Sequence, residues 1–288
     1  YEISACLVGS EMCIRDSTET SGAGFDRIYA YTPAPGQFVN AGPETIATPG
    51  QACEYAQRQM AGGGYVSLGA FGGYIVAGFD HSVDASADGY DLAVGGNSFD
   101  TSSEPGVVWV MQDENGDGLP NDTWYELRGS EYDDPATVHG YAVTYYRPAS
   151  SGTEVPWTDD RGGRGAVGRN EFHQQDTYYP AWVAADSYTL RGTLLENRAE
   201  FGYSDRYGDF IWMLPAREWG YADNYSDEGR DGTWNLFRIS DAVRFDGSPA
   251  DLTYIDFVKV QSGVQAMCGA IGETSTEVTG IADYRLMK

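Results

Sequence analysis

The stretch "VVWVMQDENGDGLPNDTWYEL", Val107 to Leu127, contains two strand-like segments joined by an acidic connection. In "VVWVMQ" and "TWYEL", successive side chains alternate between two faces, which is the period of a β-strand. Between them, Asp113, Glu114, Asp117 and Asp122 occur without a neighbouring Lys or Arg. Two like charges about 4 Å apart repel by roughly 1 kcal/mol in water, and by more near a protein surface. The stretch therefore predicts two neighbouring strands and a loop that requires a compensating positive charge.

Short segments of strand character recur along the chain, separated by turns rich in Asp, Gly, Asn and Pro. The strand candidates are Tyr65–Val83 with a break at Gly72-Gly73, Tyr90–Asn97, Gly106–Gln112, "TWYELRG", "HGYAVTYYRP", "SYTLRGTLLE", "DFIWML", "TWNLFRIS" and "TYIDFVKVQSG". Ala52–Met60 is a modest helix candidate, but no segment shows a sustained helical period. We therefore predict an all-β fold, an antiparallel β-sandwich or jelly roll with long loops.

The chain has 288 residues, 41% of them hydrophobic, with 21 Tyr, 7 Trp and a formal net charge of −25. This composition is too aromatic for a disordered chain, and the length allows a full core. No apolar run approaches the roughly 20 residues that a membrane-spanning helix needs. A surface with this charge repels nucleic acid and anionic lipid but tolerates divalent cations. We therefore expect neither nucleic acid binding nor a membrane span.

The segment "LVGSEMCIRD", Leu7–Asp16, resembles the translated end of a sequencing adapter, and we interpret it as an artefact. We therefore expect the natural N-terminus, and with it any signal peptide, to be missing. Cys6 and Cys13 are then not part of the natural protein, which leaves Cys53 and Cys268. Two lone cysteines fix neither a disulfide framework nor a compartment, so whether they pair stays open.

These features divide the chain into three parts. We expect residues 1–21 to be artefactual or disordered, residues 22–60 to be an extended lead-in packed on the sheet, and residues 61–288 to form the β-sandwich domain. The lead-in contains prolines at positions 33, 35, 43 and 49. Prolines break helices and suit an extended segment laid over a sheet.

The acidic connection has the odd-position spacing of a calcium loop. Counting from Asp113, oxygen-bearing side chains stand at the first, third and fifth positions, and Gly118 at the sixth permits a sharp turn. The twelfth position is Trp124 instead of the Glu of an EF-hand, so the loop is more similar to the calcium coils of extracellular repeat proteins. The alternative is a solvated connection without metal. The residues predicted to bind Ca²⁺ are Asp113, Asn115, Asp117, Leu119 through its backbone carbonyl, Asn121 and Asp122.

A second acidic stretch, "WGYADNYSDEGRDG", spans Trp219–Gly232 and includes Asp223. Its Asp residues are dense, but their spacing matches no pattern of metal ligands. Arg230 also balances part of the charge. We interpret this stretch as a polar loop.

Aromatic residues are dense in the second half of the chain, many of them in Gly-, Pro- or Asp-rich segments. Exposed rings beside polar loops suit stacking on sugar faces or on a flat cofactor ring. The alternative is that most of these rings are core residues, which is the interpretation we prefer for Trp109, Trp124 and Trp212. The predicted ligand-binding residues are Trp157, His173, Tyr178, Tyr179, Trp182, Trp219 and Tyr221.

No catalytic site assembles from the sequence, and we predict no catalytic residues. The sequence contains neither a G-x-S-x-G elbow nor an H-E-x-x-H motif. Its three histidines are His81, His139 and His173. Carboxylate pairs for glycoside hydrolysis would have to come from Asp80, Glu104, Glu126 and Glu171. A jelly-roll carbohydrate-active hydrolase or lyase that uses Glu104 or Glu171 stays the alternative, as does a purely structural surface protein.

Several motifs resemble a family of exported cell-surface proteins of gut bacteria: "FGGYIVAGFDHSV", "NEFHQQDTYYPAW", "EWGYADN", "IDFVKVQSGV" and a long motif from Ser102 to Tyr132. The resemblance covers about Tyr29–Tyr284. Some family members are found beside PKD-like domains, and the genes tend to lie next to outer-membrane TonB-dependent uptake systems, including those for corrinoids. No catalytic residues carry over from the family.

The resemblance implies export, a location at the cell surface or outer membrane, and a β-rich fold. Together with the aromatic segments, it leads us to expect a protein that binds a glycan or a small cofactor such as a corrinoid. A TonB-dependent transporter of the outer membrane is the partner that the resemblance implies. The acidic connection adds a structural calcium loop to this expectation.

Overall fold

Antiparallel sheets dominate the computed structural model of the chain, which describes residues 14–42 and 44–287. The all-β prediction is confirmed, and the finer expectation of a sandwich or jelly roll stays a prediction. The strands are β1 (Arg27–Thr32), β2 (Val66–Ser67), β3 (Tyr74–Asp84), β4 (Leu92–Gly95), β5 (Gly106–Met111), β6 (Tyr125–Leu127), β7 (Val138–Tyr146), β8 (Val155–Asp159), β9 (Arg164–Val167), β10 (Ser187–Leu194), β11 (Glu200–Ser204), β12 (Asp209–Met213), β13 (Arg230–Asp231), β14 (Trp234–Phe237), β15 (Ala242–Val243), β16 (Tyr254–Ser262), β17 (Glu277–Val278) and β18 (Gly280–Asp283). The helices are α1 (Pro49–Ala61) and three 3-10 turns, Ile239–Asp241, Gly269–Ile271 and Tyr284–Met287.

Most of the adapter-like segment, together with Cys6 and Cys13, lies outside the described residues. Of the part that is described, Arg15 contacts β3 and β16. Its backbone N–H donates to the Ser82 hydroxyl at 3.0 Å, and its guanidinium pairs with the buried carboxylate of Asp256 at 3.1 Å. The artefactual origin of this segment stays a prediction.

The largest sheet has the strand order β1-β3-β16-β5-β6-β15, with every pair antiparallel. β16 lies between β3 and β5, and all of its residues except Lys259 are buried. The two strands predicted around the acidic connection are β5 and β6. They pair directly, with Trp109 opposite Glu126 and Val110 opposite Tyr125.

A four-stranded sheet with the order β13-β14-β4-β18 shares one apolar core with the largest sheet. Helix α1 packs against the same core through Ala52, Ala56 and Met60. The predicted helix is therefore confirmed, and it begins earlier than predicted because Thr48 caps it by accepting from the N–H of Gln51. β1 pairs with β3, so the lead-in supplies both an edge strand and a helix to the fold.

A second four-stranded sheet, in the order β10-β7-β8-β9, packs over a separate core. Phe71, Tyr141, Tyr145, Tyr178 and Tyr179 are its large buried side chains. The Tyr145 hydroxyl donates to the Phe71 carbonyl at 2.8 Å, so this polar group is satisfied inside the core.

The predicted break at Gly72-Gly73 lies between β2 and β3. Gly72 has a φ of +84°, in the region that favours glycine. A Cβ on Gly73 would lie 1.8 Å from the carbonyl oxygen of Leu68 and 2.3 Å from the amide nitrogen of Ala34. The backbones of three segments therefore approach one another more closely than any side chain permits.

The two remaining cysteines do not form a disulfide in the described structure. Cys53 is half-buried in α1, whereas Cys268 is buried with its sulfur 3.7 Å from the hydroxyl of Thr274. Among the described residues, no helix is long and apolar enough to span a membrane.

We predict that Gly73→Ala destabilises the fold by more than about 3 kcal/mol, because the clash is with backbone atoms that have no rotamer to change. Gly22→Ala is the matched control, because its Cβ would meet no atom within 4 Å. The measurement is the free energy of unfolding in denaturant. Equal stability of the two variants would contradict the close backbone approach.

Candidate functional site

Three acidic side chains meet in the interior, a group of residues that we call the carboxylate cluster: Glu104, Asp223 and Glu277. One oxygen of each lies within 4.8 Å of the others. Asp223 and Glu277 are buried, and Glu104 is half-buried. No ion pair with Lys or Arg compensates the cluster in the described part of the chain. The cluster therefore either carries several negative charges or shares protons among its carboxyl groups.

Backbone hydrogen bonds hold the three segments of the cluster together. The N–H of Glu104 donates to the carbonyl of Asp223 at 3.0 Å, beside a pair of hydrogen bonds between Gly106 and Ala222. On the other side, the Ser275 N–H donates to Oε1 of Glu104 at 2.9 Å. Glu104 thus joins the chain before β5 to the loop before β13 and to the segment before β17.

Asp223 is the most firmly held member of the cluster. Its Oδ1 accepts from the N–H groups of Asn97 and Ser98 at 2.9 and 2.8 Å, and its Oδ2 accepts from the N–H of Glu277 at 2.9 Å. Its backbone has a φ of +50°, which is rare outside glycine. Asp223, Asn224 and Ser226 are buried, so the central part of this polar loop lies inside the fold.

Burial sets the protonation of the cluster. It raises the pKa of Glu104 to about 7, and together with the charge of Glu104 it raises the pKa of Asp223 to about 8. Burial and both neighbouring charges raise the pKa of Glu277 well above its ordinary value, so Glu277 is the member that carries a proton toward Glu104. Burial also raises the pKa of the nearby Glu273 to about 8.

Two outcomes are chemically open to such a group. At low pH the carboxyls share protons, and at higher pH a hard divalent cation can replace those protons, since carboxylate oxygens are its preferred ligands. The residues that could hold such a cation are the three members of the carboxylate cluster. Local spacing did not reveal the group, because its members come from three distant parts of the chain.

The acidic connection between β5 and β6 folds its side chains onto its own backbone. The buried carboxylate of Asp113 accepts from the N–H groups of Asp117 at 3.1 Å and Gly118 at 2.8 Å. Asp122 accepts from the N–H of Glu114 at 3.0 Å. Gly118 has a φ of +73°, so the sharp turn expected at the sixth position is present. Calcium binding here stays a prediction.

The side chains of this loop also bond to one another: Asn121 donates to Oδ2 of Asp117 at 2.8 Å, and Asn115 donates to Oδ1 of Asn121 at 3.1 Å. The N–H of Leu119 donates to Oδ1 of Asp117 at 2.9 Å. Within residues 14–42 and 44–287, however, the loop carboxylates do not form a group of three with oxygens inside 4.8 Å.

Four of the seven predicted ligand-binding residues are buried. Tyr178, Tyr179, Trp182 and Tyr221 are at most 5% exposed, so the expectation of open rings at these positions is wrong. Their rings pack in the cores, and the hydroxyls of the three tyrosines have partners inside the protein. The Tyr178 hydroxyl, for example, donates to the carbonyl of His173 at 2.8 Å. Trp182 also lines the edge of a cleft of about 550 Å³.

The other three predicted residues are half-buried. The Trp157 ring covers Gly165 across β8 and β9. His173 packs edge-on against Phe38, with ring centres 4.5 Å apart. Trp219 lies beside Gly220 in the loop before β13. With four of the seven rings buried, the seven residues do not line one open surface.

The predicted catalytic alternatives are also dispersed. Asp80 binds the Nδ1 of His81 at 2.6 Å, and the buried Glu126 accepts from the Thr193 hydroxyl at 2.5 Å. Glu171 is exposed. Of the four acidic residues considered, Glu104 is the one that joins the carboxylate cluster.

The largest group of exposed rings lies on the hairpin β11–β12, which forms a sheet of its own. Phe201 lies opposite Trp212, and Tyr203 lies opposite Phe210, so four rings share one side that we call the aromatic face. Neighbouring ring centres are 5.4 to 6.1 Å apart. Phe201, Tyr203 and Phe210 are 60%, 54% and 61% exposed. The sequence prediction missed this group because only β12 was identified as a strand.

No protein-family model and no curated protein matches this chain. Its function must therefore be inferred from the sites themselves.

We predict that, in metal-free buffer, the protein loses about 2–4 kcal/mol of stability between pH 6 and pH 9. In the unfolded chain these carboxyls ionise near pH 4, whereas the folded protein holds its protons up to about pH 7 at Glu104 and pH 8 at Asp223. The contribution of these protons to the free energy of unfolding is therefore fully present below the pKa of the unfolded chain, and it is lost as the pH rises through the pKa values of the folded protein.

Unfolding in denaturant at a series of pH values measures this effect. Glu277→Gln removes one charge without changing the shape, so its profile should be flatter than that of the wild type. Glu228→Gln, on an exposed residue, should leave the profile unchanged. A wild-type profile that is flat over this range would contradict the proton-sharing cluster.

Proposed function

We propose that this is an exported cell-surface protein that binds a glycan through the aromatic face of β11–β12. The observation that carries the proposal is the set of four rings, three of them more than half exposed, on one side of a projecting hairpin. Aromatic rings stack on the apolar faces of sugars, and they stack equally on a flat cofactor such as a corrinoid. Delivery to an outer-membrane TonB-dependent transporter is the role that the family resemblance suggests.

Hydrogen bonds and one ion pair connect the hairpin to the segment between β4 and β5. At its base, Leu214 donates to the carbonyl of Thr101 at 2.8 Å and accepts from Ser103 at 3.0 Å. At its turn, Arg206 pairs with Asp100. A two-stranded hairpin alone is marginally stable in water, so these anchors matter. A preorganised surface loses less entropy on binding and therefore binds more tightly.

The structural alternative is that the rings only stabilise the hairpin. Cross-strand aromatic pairs contribute about 0.5–1.5 kcal/mol each, which is a real gain for an isolated pair of strands. That role, however, does not require three of the rings to remain more than half exposed. Exposed apolar patches on soluble proteins commonly mark contact surfaces.

A carbohydrate-active enzyme is the less favoured function. Glu104 has the raised pKa of a general acid, but its carboxylate partners Asp223 and Glu277 are 1% and 3% exposed. A polysaccharide chain does not reach carboxylates at that depth. Release of reducing ends from a polysaccharide, lost in Glu104→Gln, would favour the enzyme instead.

We predict that Phe201→Leu with Phe210→Leu weakens polysaccharide binding at least tenfold. Leucine keeps the apolar bulk and removes the ring face, and a tenfold loss corresponds to about 1.4 kcal/mol. The control is Phe245→Leu, which changes a 96% exposed ring elsewhere. A glycan array, with corrinoids tested in parallel, identifies the ligand, and calorimetry measures its affinity. Full binding by the double variant, or no binding of either ligand class by the wild type, would contradict the proposal.

The proposal includes a calcium ion in the acidic connection. It is supported by the position of Asp113, whose buried carboxylate is oriented by the amides of the fifth and sixth loop residues. Asp117 and Asp122 accept from neutral amide groups of the same loop, and these contacts leave the negative charges of both side chains uncompensated. A divalent cation would turn the repulsion among these side chains into a force that orders the loop.

We predict that calcium raises the stability of chelator-treated protein, by about 2.7 kcal/mol when its concentration is a hundredfold above Kd. Asp117→Asn should abolish the effect, because it removes one ligand charge. Glu114→Gln, at a loop position outside the predicted ligands, should preserve it. Thermal unfolding and calorimetry measure the response. If Glu277→Gln abolishes it while Asp117→Asn does not, the ion binds at the carboxylate cluster and the loop assignment is wrong.

A further inference from the structure

A cleft of about 810 Å³ lies between the end of α1 and the sheet β13-β14-β4-β18. Phe25 and Met60 line one side, and Trp234 lies on the sheet side. The volume is within the range of about 300–1,000 Å³ that is typical of small-molecule sites. The cleft contains none of the residues of the carboxylate cluster, the acidic connection or the aromatic face.

Two glycines make room for the ring of Trp234. Trp234 on β14 is opposite Gly95 on β4, which is opposite Gly280 on β18, so the three residues form one row across the sheet. A Cβ on Gly95 would lie 3.3 Å from the indole, and one on Gly280 would lie 2.8 Å from it. The ring therefore lies over bare backbone across two strands, and it remains partly exposed where it lines the cleft.

Several hydrogen-bonding groups of the cleft have no protein partner. In the described parts of the chain, the side chains of Asn97, Thr233 and Thr279 and the indole N–H of Trp234 make no hydrogen bond. Gln57, by contrast, is fully used: it accepts from the N–H of Ile28 and donates to the carbonyl of Asp26. The cleft thus offers an amide, two hydroxyls and an N–H around one aromatic ring.

The described lining of the cleft carries no charged side chain, although the protein is strongly acidic. Its described lining contains no Asp, Glu, Lys, Arg or His, although the chain carries a formal charge of −25. An anionic ligand would find no partner here, and a cation would gain more at the many exposed carboxylates. The chemistry fits a neutral ring compound with several hydroxyl groups.

We infer that this cleft binds a single neutral sugar unit, free or at the end of an oligosaccharide, stacked on Trp234 and hydrogen-bonded by Asn97, Thr233 and Thr279. The inference extends the proposed function to a second site and rests on it for the ligand class alone. The aromatic face would hold the side of a glycan chain, and the cleft would hold its terminal unit.

The test is a titration of neutral monosaccharides and disaccharides, with glucuronic acid as the anionic comparison, followed by calorimetry and indole fluorescence. Wild-type protein should bind at least one neutral sugar and bind glucuronic acid at least tenfold more weakly. Trp234→Leu should weaken sugar binding about tenfold, which corresponds to about 1.4 kcal/mol for the lost stacking on the ring. Trp234→Phe, which keeps a ring, should retain part of the affinity.

Asn97→Ala should weaken binding about threefold to tenfold, and it keeps the test valid if a Trp234 variant does not fold. The Phe201→Leu, Phe210→Leu protein is the matched control, since it should lose the polysaccharide but keep the small sugar. Sugar binding that survives both Trp234→Leu and Asn97→Ala would overturn the inference, as would the absence of any bound neutral sugar. Neither result depends on the aromatic face, so the failure of one site is distinguishable from the failure of the other.

Discussion

The buried carboxylate of Asp223 is the constraint on which the rest of the arrangement depends. It accepts three backbone N–H groups, from the adjacent residues Asn97 and Ser98 and from Glu277, and so joins its own loop to two segments that are distant in the sequence. A buried charge is costly unless hydrogen bonds compensate it, and here the compensation is also what joins the end of β4 to the start of β17. Burial and the neighbouring Glu104 raise the pKa of Asp223 in spite of these hydrogen bonds.

The segment between β4 and β5 contributes residues to several of the sites described above. Asn97 contributes to the uncharged cleft, Asp100 and Thr101 anchor the aromatic hairpin, and Glu104 enters the carboxylate cluster. The same chain then continues through β5 into the acidic connection at Asp113. This segment therefore contacts the cleft, the aromatic hairpin and the carboxylate cluster.

Local patterns predicted the parts of the fold that local forces determine. The alternation around Val107–Leu127 predicted β5 and β6, and a capping Thr48 followed by Pro49 extends the predicted helix. Strands β8, β9, β17 and β18 were not predicted because they are short or contain Gly or Pro, and long-range pairing makes them strands. β1 was assigned to an extended lead-in because prolines follow it directly. The carboxylate cluster was missed for the same reason: Asp223 and Glu277 are 54 positions apart, and Glu104 meets Ser275 across 171. Burial of tyrosines such as Tyr178 likewise depends on sheets that no single segment reveals.

The distribution of charge separates the surfaces of this protein into two kinds. Most of the surface carries the acidic residues that give a net charge of −25, which keeps the molecule soluble and repels anionic polymers. The aromatic face and the cleft at Trp234 instead present rings and uncharged polar groups. Because stacking and hydroxyl contacts are short-ranged, they select only molecules that the long-range field permits to approach. A neutral glycan meets both conditions, whereas an acidic polysaccharide with the same sugar faces would be repelled before its rings could stack.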